Sequence, residues 1–163
     1  AFCDESGLDA GIREKFLAGV VEGRADVFTD PDASPTNFPF KVGAVEGTLS
    51  DRAVFEQRAR KCDLGYLRQA FRKADGAIGY RCPAEPVADY VQKGGREEDT
   101  VGRKCLCNAL TANVGLGQRR ADGYEEPALL TAGSDLACLK QYVSAGRLTY
   151  RAQDVVESLL PRV

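Results

Sequence analysis

The chain has 163 residues, 44% of them hydrophobic and 28% charged, and a net charge of −2, which suits one packed soluble domain and not a disordered segment. The slight acidity leaves no excess positive charge for nucleic acid or a membrane surface, no run approaches the roughly 20 apolar residues of a membrane span, and the N-terminus lacks the layout of a signal peptide. With no histidine in the chain, Ser-His and Cys-His nucleophilic pairs, HExxH zinc sites and imidazole acid/base catalysis are excluded, so any metal site must use sulfur or carboxylate.

The start at Ala1-Phe2-Cys3 and the lack of any methionine lead us to expect the C-terminal part of a larger cytoplasmic protein. Asp9 precedes Ile12, Phe16, Leu17, Val20 and Val21 at helical spacing, and Gly23 supplies a stop, so residues 9–22 read as an amphipathic helix. Residues 25–29 read as a short strand, the Asp30 to Pro35 stretch as a turn-rich loop, and residues 38–45 as a second strand. The character changes near residue 47, where we place a boundary: residues 1–47 form one unit and 48–163 a mainly helical, loop-rich extension. Within the extension, residues 50–60, 85–92 and 104–113 have helical composition, the last two ended by Gly94-Gly95 and Gly115. Ser134 is expected to cap a helix carrying Leu136, Leu139 and Val143, and Thr149 another carrying Val155, Val156, Leu159 and Leu160.

Four of the six cysteines, Cys62, Cys82, Cys105 and Cys107, fall in the Gly-rich and turn-rich middle, each segment beside basic residues: Arg60-Lys61, Arg81 and Arg103-Lys104. Thiolate binds metal, and neighbouring cations favour thiolate, so this placement suits a tetrahedral sulfur site for zinc or an iron-sulfur cluster. The spacing is irregular, with 19 residues between Cys62 and Cys82 and 22 between Cys82 and Cys105, and no pair of CxxC knuckles is present. Buried free cysteines and disulfides are the competing readings. Cys3 and Cys138 stand outside this set, and Cys138 is assigned to the core. Gly115-Leu116-Gly117-Gln118 reads as a helix stop and surface loop, Asp4 and Glu5 as structural carboxylates beside a helix start, and Arg119-Arg120 as solvated.

A family resemblance rests on several segments together. Phe2, Glu5-Ser6, Lys15, Val27-Phe28-Thr29 and the run Ser34-Pro35-Thr36-Asn37-Phe38-Pro39-Phe40-Lys41-Val42 resemble the final barrel segment of the FMN-dependent nitronate monooxygenases, also called the 2-nitropropane dioxygenase family. The segments Lys61 to Leu67, Gly79 to Pro86 and Val101 to Asn108 resemble a C-terminal extension of a bacterial subgroup; ordinary members lack its cysteines. The resemblance implies an α/β fold in which residues 1–47 end a TIM (β/α)₈ flavin barrel. It also implies FMN held mostly by a preceding part, a small-molecule substrate, and a partner in the remainder of the barrel, whether in the same polypeptide or a separate subunit. The family's catalytic histidine has no counterpart here, so catalysis by this chain alone is not expected. The alternative is a non-enzymatic, zinc-stabilised binding or assembly module.

Overall fold

In a computed structural model describing residues 2–160, helix α1 runs Ala10–Glu22 and buries Phe16, Leu17 and Val20. The Asp9 carboxylate accepts from the Ile12 N–H at 3.0 Å, and Gly23 closes the helix at φ 74°, a left-handed conformation that glycine adopts without Cβ strain. Strands β1 (Val27–Asp30) and β2 (Phe40–Gly43) pair antiparallel, with Phe28 opposite Val42. Helix α2 (Arg52–Gln57) is shorter than the expected 50–60 segment because Arg58 leaves it in extended backbone.

The middle of the chain holds an element that the sequence reading did not place. Strands β3 (Gln69–Arg72) and β4 (Ile78–Arg81) form a second antiparallel hairpin. Gly76 at φ 86° supplies its turn, following Asp75 as hairpin turns favour. Helices α3 (Val87–Gln92) and α4 (Leu106–Ala112) follow.

Near the end, two expectations are corrected. The segment after Ser134 is a 3-10 turn over Ala137–Gln141, not an α-helix. Ser134 takes a bond from the Lys41 ammonium, and the Asp135 carboxylate holds the Ala137 N–H at 3.1 Å. The last helix, α5 (Ala152–Leu159), has Arg151 at its N-cap, not Thr149. Its first amides are served by Asp154 on Arg151 N–H and by Glu5 on Ala152 N–H, both at 2.8 Å. The extension is therefore a mixture of short helices, a hairpin and loops. Among the described residues no helix is long and apolar enough to cross a membrane.

Of the two small antiparallel sheets, the first borders both apolar cores, and the second hairpin contributes a residue to neither. The first core joins Phe2, Phe16, Leu17, Val20 and Val45 to Leu130, Leu139, Val143 and Tyr150, so it draws residues from both sides of residue 47. The second joins Val42 and Leu49 to Leu106, Ala109 and Leu129. Residues 128–131 thread between them, with Gly43 N–H on Leu130 O at 2.9 Å and Leu129 N–H on Ala109 O at 3.0 Å. This pairing ties α4 to β2 and fixes where the cysteines lie.

Candidate metal centre

Cys62, Cys82 and Cys105, drawn from three separate segments, meet at the end of the second hairpin, and Cys107 joins them. Cys82 and Cys105 are buried with Ala84, and Cys107 packs against that cluster. The Cys62 sulfur is in hydrogen-bond contact with that of Cys105 and feels the charges of Cys82 and Cys107. The fold thus places all four of the cysteines expected to form a metal site as neighbours. Cys3 lies half-buried against the first core. Cys138 corrects its expected place in the core: its residue is exposed and its thiol donates to Asp135 O at 3.3 Å.

Three of the sulfurs receive backbone N–H groups from their own turns. The Gly65 N–H reaches Cys62, the Ala84 N–H reaches Cys82, and the Asn108 N–H reaches Cys105 at the start of α4. Gly65 makes the first turn possible at φ 63°. Hydrogen bonds donated to a sulfur favour its ionised form. The Asn108 side chain adds a contact to the Cys105 sulfur at 3.6 Å while donating to Asp63 Oδ1 at 2.7 Å, so it clasps the Cys62 turn to α4.

Among the flanking cations named from the sequence, Arg60 turns toward the sulfurs and three others do not. Lys61 reaches Asp122 and the Tyr124 ring, Lys104 reaches Asp30 and the Phe55 ring, and Arg103 bonds Ser34 O at 2.7 Å. These flanking cations point away because successive side chains on a turn diverge. Arg58 and Arg60 approach instead: Arg58 bears on Cys105 and Arg60 on Cys82. The Arg58 side chain is 1% exposed and forms a two-bond pair with Glu126, Nε to Oε1 at 2.5 Å and Nη2 to Oε2 at 3.3 Å. Tyr124 and Gln118 complete the Glu126 shell at 2.6 and 2.8 Å. Arg60 has no carboxylate partner among the described residues; it donates to the carbonyls of Pro83, Glu85 and Thr100, the last at 2.6 Å.

The titration of the sulfurs splits accordingly. Hydrogen bonding from Cys105 pulls the Cys62 thiol down to about 7, against a desolvation cost and with help from the Gly65 N–H. Cys105 is pushed up because its proton is held in that bond and because it is buried. Burial pushes Cys82 up as well. Burial, together with the charge of Arg58, lowers Arg60.

The sulfurs are neighbours without yet forming a coordination shell: among the described residues, no three His, Cys, Asp or Glu side chains are placed to hold a metal ion together. Their chemistry nevertheless fits a thiophilic ion. Arg58 Nη1 and Asn108 Oδ1 are buried without partners beside Cys105, as is Glu85 Oε1 beside Cys82. An unpartnered buried donor is costly, and an ionised sulfur is the acceptor that Arg58 Nη1 lacks. Sequence reading singled out the four sulfurs and the flanking Arg60 but missed Arg58, Asn108 and Glu126. Only the Arg58-x-Arg60 pair upstream of Cys62 offered a local sign.

The remaining candidates have structural roles. Asp4 pairs with Arg13 at 3.0 Å and Glu5 serves α5. Gly117 lies where a Cβ would meet the Ala112 Cβ at 2.7 Å, and Arg119 faces Glu125 at 3.2 Å. No family model, curated protein or solved structure matches the chain.

Proposed function

We propose that Cys62, Cys82, Cys105 and Cys107 form a four-thiolate metal centre within the C-terminal portion, or a subunit, of an FMN-dependent oxidoreductase or monooxygenase of the nitronate monooxygenase type. The observation that carries the centre is the meeting of these sulfurs from three distant segments, with backbone amides and two arginines directed at them. The flavoenzyme assignment rests on the resemblance of residues 1–47 and of the three cysteine-bearing segments. On that reading the rest of the barrel holds FMN and acts on a small substrate, and the protein works in the cytoplasm.

A bound ion would be held by the four sulfurs and would supply folding energy, or, as an iron-sulfur cluster, a one-electron carrier. What this chain's own residues do is orient and ionise the sulfurs. The Gly65, Ala84 and Asn108 amides fix them, Arg58 and Arg60 offset their charge, and Glu126 holds Arg58 in place. The second reading is a zinc-stabilised binding or assembly module, in which the same four sulfurs hold the ion.

Anaerobic purification with metal analysis and a visible spectrum tests both. Equimolar zinc in a colourless chain supports the structural centre, and broad brown absorbance supports iron-sulfur. Flavin bands in whatever copurifies support the flavoenzyme assignment. A metal-free chain in which all six cysteines titrate as free thiols defeats the centre.

A further inference from the structure

A second site of a different kind lies alongside the second hairpin, next to the cysteine cluster. A cavity of about 600 Å³ opens between the hairpin and the end of α3, bordered by Phe71, Arg72, Lys73, Arg81, Lys93 and Gly94. This volume is in the range of small-molecule sites, about 300–1,000 Å³. No carboxylate lines it. Lys93 is already balanced by Glu85, 2.7 Å away, which leaves Arg72, Lys73 and Arg81 without carboxylate partners among the described residues. A concentration of positive charge is not expected by default in a chain of net charge −2.

Arg81 is held in position. Its guanidinium carbon lies 5.1 Å from the centroid of the Phe71 ring and 5.3 Å from that of Tyr90, and its Nη1 donates to Lys93 O at 2.9 Å. Tyr90 is in turn packed against Gly95, where a Cβ would come within 2.2 Å of the ring. Nε is buried without a partner. Nη2, which makes no protein hydrogen bond and is not among the buried unpartnered atoms, is free to meet a ligand. A planar guanidinium immobilised over aromatic rings loses little freedom on binding and matches the oxygen geometry of phosphate. Three unpaired cations suit a dianion better than a single carboxylate, and the Phe71 ring with Ala74 offers apolar surface for an organic body.

We propose that this cavity binds a small phosphorylated compound, a phosphate monoester or diphosphate, through Arg81, Arg72 and Lys73. The test is a two-dimensional amide NMR titration of the whole chain with inorganic phosphate and with pyrophosphate, at constant ionic strength against chloride. Saturable shifts confined to residues 71–74 and 92–95, tighter for pyrophosphate, are expected. Because truncating Arg81 removes a packed side chain, the deciding variant is Arg72→Gln with Lys73→Gln, both exposed, which should weaken pyrophosphate binding by about tenfold or more. Arg81→Gln, with its fold checked by circular dichroism, should abolish it. Shifts that never saturate, shifts that chloride reproduces, or an unchanged affinity in the double variant would overturn the site. A short single-stranded oligonucleotide that binds there more tightly than pyrophosphate would equally defeat it, by assigning the patch to a nucleic-acid backbone.

Discussion

Among the sulfurs, Cys62 is the one set to react. Its thiol sits at about 7 against an ordinary 9.0 because Cys105 donates to it and holds its own proton. In the metal-free chain, alkylation by iodoacetamide, followed by peptide mass spectrometry, should modify Cys62 well before Cys82 or Cys105, with a rate half-maximal near pH 7. A depressed acid stabilises the fold once the pH exceeds its unfolded value and loses that contribution as the pH falls through about 7. Cys82 and Cys105 act in the opposite sense, since both are raised and their contribution fades above the ordinary thiol value. Metal-free chain should therefore gain stability as the pH rises from about 7 toward 9 and lose it again above about 9. Full metal loading should flatten that dependence, because bound thiolates no longer exchange protons in this range. Urea denaturation across the range would check both. Arg58 raises a separate matter. Burial opposes its charge, but Glu126 more than offsets that and raises its pKa, and both side chains are almost wholly enclosed. Arg58→Met strands the Glu126 carboxylate and should cost about 3–5 kcal/mol in chemical denaturation. Restoring balance with Glu126→Gln in the same chain should recover part of that loss.

At the level of elements, α1 was legible because its signals are local. Asp9 before the apolar repeat and Gly23 after it specify the helix without help from the rest of the chain, and β1 and β2 announce themselves by β-branched and aromatic residues between turn-formers. The second hairpin was missed although Asp75-Gly76 marks its turn. Its strands are only four residues each, Gln69 to Arg72 and Ile78 to Arg81, and the apolar residues of the second, Ile78 and Tyr80, face outward and mark no buried face. The caps of the last two elements failed for another reason: Glu5 completes α5 across 147 positions, a distance over which no spacing rule operates. The same limit hid the Arg58–Glu126 pair, 68 positions apart, although the four cysteines themselves could be singled out by type. Two substitutions probe these elements. Leu17→Ala, in a fully buried position of α1, should cost about 2–5 kcal/mol in thermal or urea unfolding. Gly95→Ala should displace the buried Tyr90 ring, at about 1–3 kcal/mol, and hydrogen exchange should quicken first in β3, β4 and α3.

For the whole molecule, the proposed metal centre and the first core should come apart separately. The cysteine region contributes few buried aliphatic side chains, its own cluster being Cys82, Ala84 and Cys105 with Cys107 alongside, whereas the first core joins nine buried side chains. A chelator should therefore speed hydrogen exchange across residues 58–107 and open them to limited proteolysis, while α1 and the 3-10 turn near Leu139 keep their protection. Uniform loss of protection over the chain would mean that the centre and the core form one cooperative unit.

The route by which the first core closes bears on synthesis. Asp4 N–H bonds Tyr150 O at 2.9 Å, and the inward face of α1 is covered by Leu130, Leu139, Val143 and Tyr150. During translation Phe16, Leu17 and Val20 emerge long before the residues that shelter them. The whole cysteine-bearing stretch leaves the ribosome in the interval. A nascent chain halted before Leu130 thus presents a sticky, uncovered helix together with a complete set of sulfurs, so metal capture can precede closure of the N-terminal core, and chaperone occupancy should peak in that window.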